Sequence, residues 1–103
     1  MAWNISTHDA CKGQPPHTVY AATTASTTAL AAKSTRKYLL LQNNSATDIF
    51  FRLDAGTAHA TDGTSLKLAA SGGSFEMTVY VSVAALTVIH AGVGTKNLTI
   101  VEG

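Results

Sequence analysis

The chain has 103 residues, which fits one domain with a modest core. Its formal net charge is +1 and only 13% of its residues are charged, so no basic stripe exists to hold nucleic acid or an anionic membrane. The single cysteine, Cys11, excludes an internal disulfide framework and a closed thiolate zinc cluster, and reads as a free thiol.

The low charge has a second meaning. Independent soluble domains usually carry about 25% charged residues, whereas this surface is rich in Thr, Ser, Ala and Asn. Such surfaces are common where other subunits cover much of the exterior. Met1-Ala2-Trp3-Asn4 lacks the basic and apolar regions of a secretory signal. No apolar run approaches the ~20 residues of a membrane span. The expectation is a chain made soluble in a cytoplasm, in which the sequons at Asn4, Asn43 and Asn97 arise by chance.

Residues 1–16 hold Trp3, His8, Asp9, Cys11 and the pair Pro15-Pro16, with no sustained period of 2 or 3.6. The two prolines favour extended backbone and forbid helix. An extended N-terminal arm is expected, followed by one β domain over 17–103. Trp3 calls for burial, either on its own domain or on a neighbouring subunit.

From His17 the texture is that of strands. His17–Thr23 alternates with β-branched and aromatic residues. Residues 22–34 are Ala/Thr/Ser-rich with Leu30 the one large apolar side chain. A helix there would lack an apolar stripe, so a loop with a short strand near Ala29–Ala31 is expected. Arg36–Leu53 is the densest apolar segment and reads as a hairpin: strand, Asn43-Asn44-Ser45-Ala46 turn, strand. Leu39 and Leu41 share one face and Tyr38, Leu40 and Gln42 the other, which predicts a central strand covered on both sides. On the return, Ile49, Phe51 and Leu53 oppose Asp48, Phe50 and Arg52. Phe50 therefore lies on a face that also carries charge.

Asp54-Ala55-Gly56 and Asp62-Gly63 are turn signals flanking a surface loop at Thr57–Thr61. Ser65–Ala69 reads as a short strand and Ser71-Gly72-Gly73 as a tight turn. Phe75, Met77, Val79 and Val81 alternate with polar residues as a half-buried strand. Leu86–Ala91 and Lys96–Glu102 complete the set around a turn at Gly92–Thr95. Seven or so short strands at this spacing predict an all-β fold, a small antiparallel sandwich or barrel of jelly-roll-like form.

Catalytic chemistry finds no foothold. His8, His17, His59 and His90 are scattered rather than paired as metal ligands. Asp54 and Asp62 are too few and wrongly spaced for a calcium loop, and read as turn formers. Six acidic residues form no recognisable glycosidase pair, and no Gly-x-Ser-x-Gly occurs. Neither Gly72-Gly73 nor Gly92-Val93-Gly94 precedes a helix, as a phosphate loop requires. The reading is a non-enzyme without cofactor or metal. Trp3, Phe50, Arg52 and Tyr80 are the candidate interface residues, with packing on their own domain as the alternative role for each aromatic.

Arg36 through Arg52, with its Tyr-Leu-Leu-Leu-Gln-Asn-Asn-Ser core, resembles small virion proteins of tailed bacteriophages. So do Asp62-Gly63, Leu66-Lys67-Leu68, Gly72-Gly73-Ser74 and the closing Gly94 to Gly103. The resemblance covers roughly residues 30–103 and not the arm. It implies a structural component of the particle: a capsid decoration (cement) protein bound to the major capsid protein and to copies of itself as a dimer or trimer. It places the chain on the capsid surface after synthesis in the host bacterial cytoplasm. A neck, tail or fibre-base module and a carbohydrate- or receptor-binding sandwich are the alternatives, the last expecting a platform such as Phe50 beside Asp48.

Overall fold

The computed structural model describes residues 17–103, so the expected arm, with Trp3 and Cys11, lies outside the described residues. Eight strands follow: β1 (His17–Ala22), β2 (Thr27–Leu30), β3 (Leu39–Asn43), β4 (Ile49–Arg52), β5 (Leu66–Leu68), β6 (Gly73–Met77), β7 (Leu86–His90) and β8 (Lys96–Glu102). Their antiparallel pairing is nested. β1 pairs with β8, β2 with β7, β3 with β6 and β4 with β5. The chain is thus one long hairpin whose tip is the connection 53–65. It rolls up because β3 also pairs with β8 and β4 with β7. The result is two four-stranded sheets, β1-β8-β3-β6 and β2-β7-β4-β5. This is the strand order of a jelly roll, the all-β class expected from the strand spacing.

Alternation decides what is buried. Leu39, Leu41, Leu98 and Ile100 from the first sheet meet Ile49, Phe51, Leu68, Leu86 and Val88 from the second. Each such side chain contributes about 1.5–3 kcal/mol relative to remaining exposed. Phe51 and Phe75 join the layers directly, their rings 5.2 Å apart and tilted by 55°.

The expected hairpin at Arg36–Leu53 is not formed. β3 and β4 lie in different sheets, and residues 44–48 carry the chain from one layer to the other. The two apolar faces pack against each other across the sandwich instead of side by side. β3 is central, as expected, but its outer face is open: Leu40 is half-buried and Gln42 exposed. The strand expected to reach Val81 stops at Met77, opposite Leu39. Beyond that point β3 offers no partner, and Val79 is 80% exposed. In the 57–61 loop, Ala58 is buried, its N–H donating to the Ser26 hydroxyl.

Buried polar groups fasten both ends. At the end where β1–β2, β3–β4, β5–β6 and β7–β8 turn, Asn43 is fully buried. Its amide donates to the Thr47 and Leu68 carbonyls at 2.8 and 3.0 Å, and its oxygen accepts from the Ser45 N–H and hydroxyl. The Asn43 carbonyl accepts from the Gly72 N–H. A Cβ at Gly73 would stand 2.4 Å from the Ala69 carbonyl oxygen, so only glycine fits where this turn re-enters the sheet. His90, also buried, accepts from the Gly92 N–H at Nδ1 and therefore donates from Nε2 to the Gly94 carbonyl. At the other end Arg36 is 3% exposed. It donates to Glu102 and to the carbonyls of Ala31, Ser82 and Ala84.

Among the described residues one buried side-chain polar atom lacks a partner, the Thr27 hydroxyl. Thr27→Val keeps the branched shape and removes the orphan, so it is expected to raise unfolding free energy by about 1 kcal/mol. Asn43→Ala strips the Leu68 carbonyl of its side-chain donor and is expected to lower it by about 1–3 kcal/mol. Urea unfolding midpoints at unchanged slope measure both.

Candidate functional site

The solvent face of the second sheet is built by the residues that alternate with its core. Ile49 and Phe51 point inward and are buried, so Phe50 and Arg52 point out. Register sets Phe50 between Ile89 of β7 and Lys67 of β5. Phe50 and Ile89 are both half-buried and form a short apolar strip.

Two ion pairs frame the strip. On one side the Lys67 ammonium lies 3.8 Å from Asp48 Oδ2, while Asp48 Oδ1 accepts from the Ala70 N–H. On the other, Arg52 forks onto Asp54, with Nε–Oδ1 at 3.0 Å and Nη2–Oδ2 at 2.6 Å. Gly56 closes this corner. Its N–H donates to Asp54, its carbonyl accepts from the Thr87 hydroxyl, and a Cβ there would come within 2.9 Å of the guanidinium. The Arg52 hydrogen bond, then the Gly56 N–H, hold the Asp54 carboxyl down to about 2, and Asp54 in turn raises Arg52. The face therefore presents an apolar centre inside a rim of fixed charges, the anatomy common to protein interfaces.

Of the residues singled out in the sequence, Phe50 and Arg52 share this face. Tyr80 does not: it lies in the β6–β7 connection, 89% exposed, beside Val79. Trp3 lies outside the described residues. Ile89 is the member the sequence reading passed over, although its alternation with Val88 was the signal. Asp54 and Asp62 each cap a turn two residues on, and the Thr64 hydroxyl and N–H lower the Asp62 carboxyl. Among the described residues no three His, Cys, Asp or Glu side chains converge as metal ligands do.

A concavity lies on the outer side of the first sheet, between the 44–46 turn and the start of β8. It is an open groove of about 480 Å³ lined by Val19, Asn44, Ser45, Lys96, Asn97 and Thr99, among others. Its polar lining is amide and hydroxyl with the Lys96 ammonium, and Val19 and Ala46 add apolar surface. Among the described residues no helix is long and apolar enough to cross a membrane.

No family model, curated protein or solved structure matches this chain.

The Arg52–Asp54 fork has a titration signature. Because the folded value of Asp54 lies below its ordinary 3.8, the fork is complete above that pH and is lost as pH falls toward about 2. The Asp54 carboxyl carbon is expected to titrate near 2 by NMR, and Arg52→Gln to return it toward 3.8. A wild-type midpoint at the ordinary value would show that the fork does not form in solution.

Proposed function

We propose that this chain is a structural virion protein that binds the outer surface of a tailed-phage capsid and stabilises it. The observation that carries the reading is the Phe50–Ile89 strip, half-exposed on the outer face of the second sheet and framed by the Asp48–Lys67 and Arg52–Asp54 pairs. An apolar centre with a charged rim suits docking on a protein, here the major capsid protein. The exposed Val79 and Tyr80 at the end of the sandwich supply a second contact. Several modest contacts made at once, to neighbouring shell subunits and to other copies of the chain, hold a shell more firmly than any one of them. The jelly roll is compatible with this role, since it serves viral capsid proteins among others, but a fold carries no function by itself.

A second reading draws on the open groove. Asn44, Ser45, Thr95, Asn97 and Thr99 present amides and hydroxyls suited to a carbohydrate, and jelly rolls also serve as lectins. The site would then be the groove and not Phe50, because Asp48 is already engaged with Lys67 and the Ala70 N–H. Retention on a glycan array separates this reading from the first.

The main test is add-back of purified chain to shells that lack it, with binding read by co-sedimentation and shell stability by thermal release of DNA. The wild-type chain is expected to bind and to raise the release temperature. Phe50→Ala is expected to weaken binding about 30-fold or more, as an interface anchor does, with an unchanged circular dichroism spectrum. Failure of the chain to bind shells, or its presence at the neck or tail alone, overturns the capsid reading.

A further inference from the structure

The two sheets have four outer edges: β1 and β6 in one, β2 and β5 in the other. A free edge presents unpaired N–H and C=O groups and invites another strand, so stable proteins guard it. Three of these edges are guarded. β5 has only three residues and places the exposed Lys67 at its centre. β2 has four residues and a register break between Thr28 and Leu30. β6 carries Glu76, whose carboxylate takes the Tyr38 hydroxyl at 2.6 Å.

β1 is different. It runs six residues, His-Thr-Val-Tyr-Ala-Ala, in unbroken register with β8 from His17 opposite Val101 to Ala22 opposite Lys96. It contains no Lys, Arg, Asp, Glu, Gly or Pro and no bulge. Among the described residues no strand covers its far side. Tyr20 and Ala22 face the core, so His17, Val19 and Ala21 face out, and Val19 is 65% exposed.

We propose that β1 is the dimerisation edge of this protein, pairing antiparallel with β1 of a second copy. The occupant follows from self-complementarity. Residues opposite each other in an antiparallel ladder share a face. A two-fold axis through Val19 sets Val19 against Val19 on the outer face, His17 against Ala21, and Thr18 against Tyr20 on the core side. Val19, the most exposed large apolar side chain of the strand, then packs on its twin, and because the strand carries no Lys, Arg, Asp or Glu no like charges meet. The product is a continuous eight-stranded sheet, β6-β3-β8-β1-β1-β8-β3-β6. Such a contact is isologous, so it closes at two copies and cannot run on into a fibre. The inference does not rest on the capsid reading, and either can fail without the other.

The full chain is expected to show twice the single-chain mass by light scattering in solution. Val19→Lys sets two ammonium groups against each other and is expected to weaken the dimer by at least about tenfold, with the β-sheet circular dichroism retained. In a Cys11→Ser background, Val19→Cys is expected to yield a disulfide-linked dimer under mild oxidation, because residues on the axis lie within reach. If Val19→Lys fails to fold, that cross-link decides the question. A wild-type chain that stays at single-chain mass as concentration rises overturns the proposal. So does a dimer that is indifferent to Val19→Lys and gives no Val19→Cys cross-link.

Discussion

The Arg36 guanidinium is the group on which one whole end of the sandwich depends. Four of its five N–H donors are spent: one on Glu102 at the end of β8, one on Ala31 after β2, and two on Ser82 and Ala84 before β7. Three segments distant in sequence are thereby gathered around a side chain that stands beside β3. A buried guanidinium is costly unless its partners are complete, so the site is self-enforcing. Misplacing any of the three segments leaves a buried charge short of an acceptor. Backbone pairing repeats the clamp, since Lys37 and Tyr38 donate to the Gly103 carbonyl while the Gly103 N–H returns to Tyr38.

The opposite end solves the same problem without charge. Asn43 and His90 are both fully enclosed, and each satisfies carbonyl and N–H groups that the turns would otherwise leave unpaired. Between the two ends the core is plain hydrocarbon with one aromatic pair. The division suits a jelly roll. Strands in the middle are specified by alternation alone, whereas the crossings at the ends require side chains that name particular backbone partners. It also leaves the outer sheet faces free of structural duty, which is why Phe50 and Ile89 can sit there half-exposed without weakening the fold.

Alternation made most of the strands readable in advance. Lys96–Glu102 and His17–Ala22 stand almost where the pattern puts them, and Leu39, Leu41, Ile49 and Phe51 face inward as their spacing requires. Pairing was not readable. Asn43-Asn44-Ser45-Ala46 says that the chain reverses, but the same chemistry serves a hairpin within one sheet and a crossing between two. What decides is the long-range partner each strand finds: β6 and β8 for β3, β5 and β7 for β4. For that reason Asn43 looked like a turn former and proved to be a buried bridge between layers. Arg36 gave no local sign of its role, because its acceptors come from residues 5 to 66 positions away. Of the surface, the isolated Phe50 was legible from its charged neighbours. Its companion Ile89 became evident only once β4 and β7 were side by side.

The nesting of strand pairs sets the order in which this molecule can come together. The tip of the long hairpin, β4 with β5, joins segments close in sequence. Each pair outward spans a longer loop, until Thr18 of β1 lies against Ile100, 82 residues on. Loop closure disfavours the wide pairs until the inner ones have formed. β8 is needed twice over, since it separates β1 from β3 in the finished sheet. During synthesis, then, β1 is the first of these strands to leave the ribosome and the last to find its place. Its outer edge, which no strand among the described residues covers, passes through that interval beside every other nascent copy in the cell.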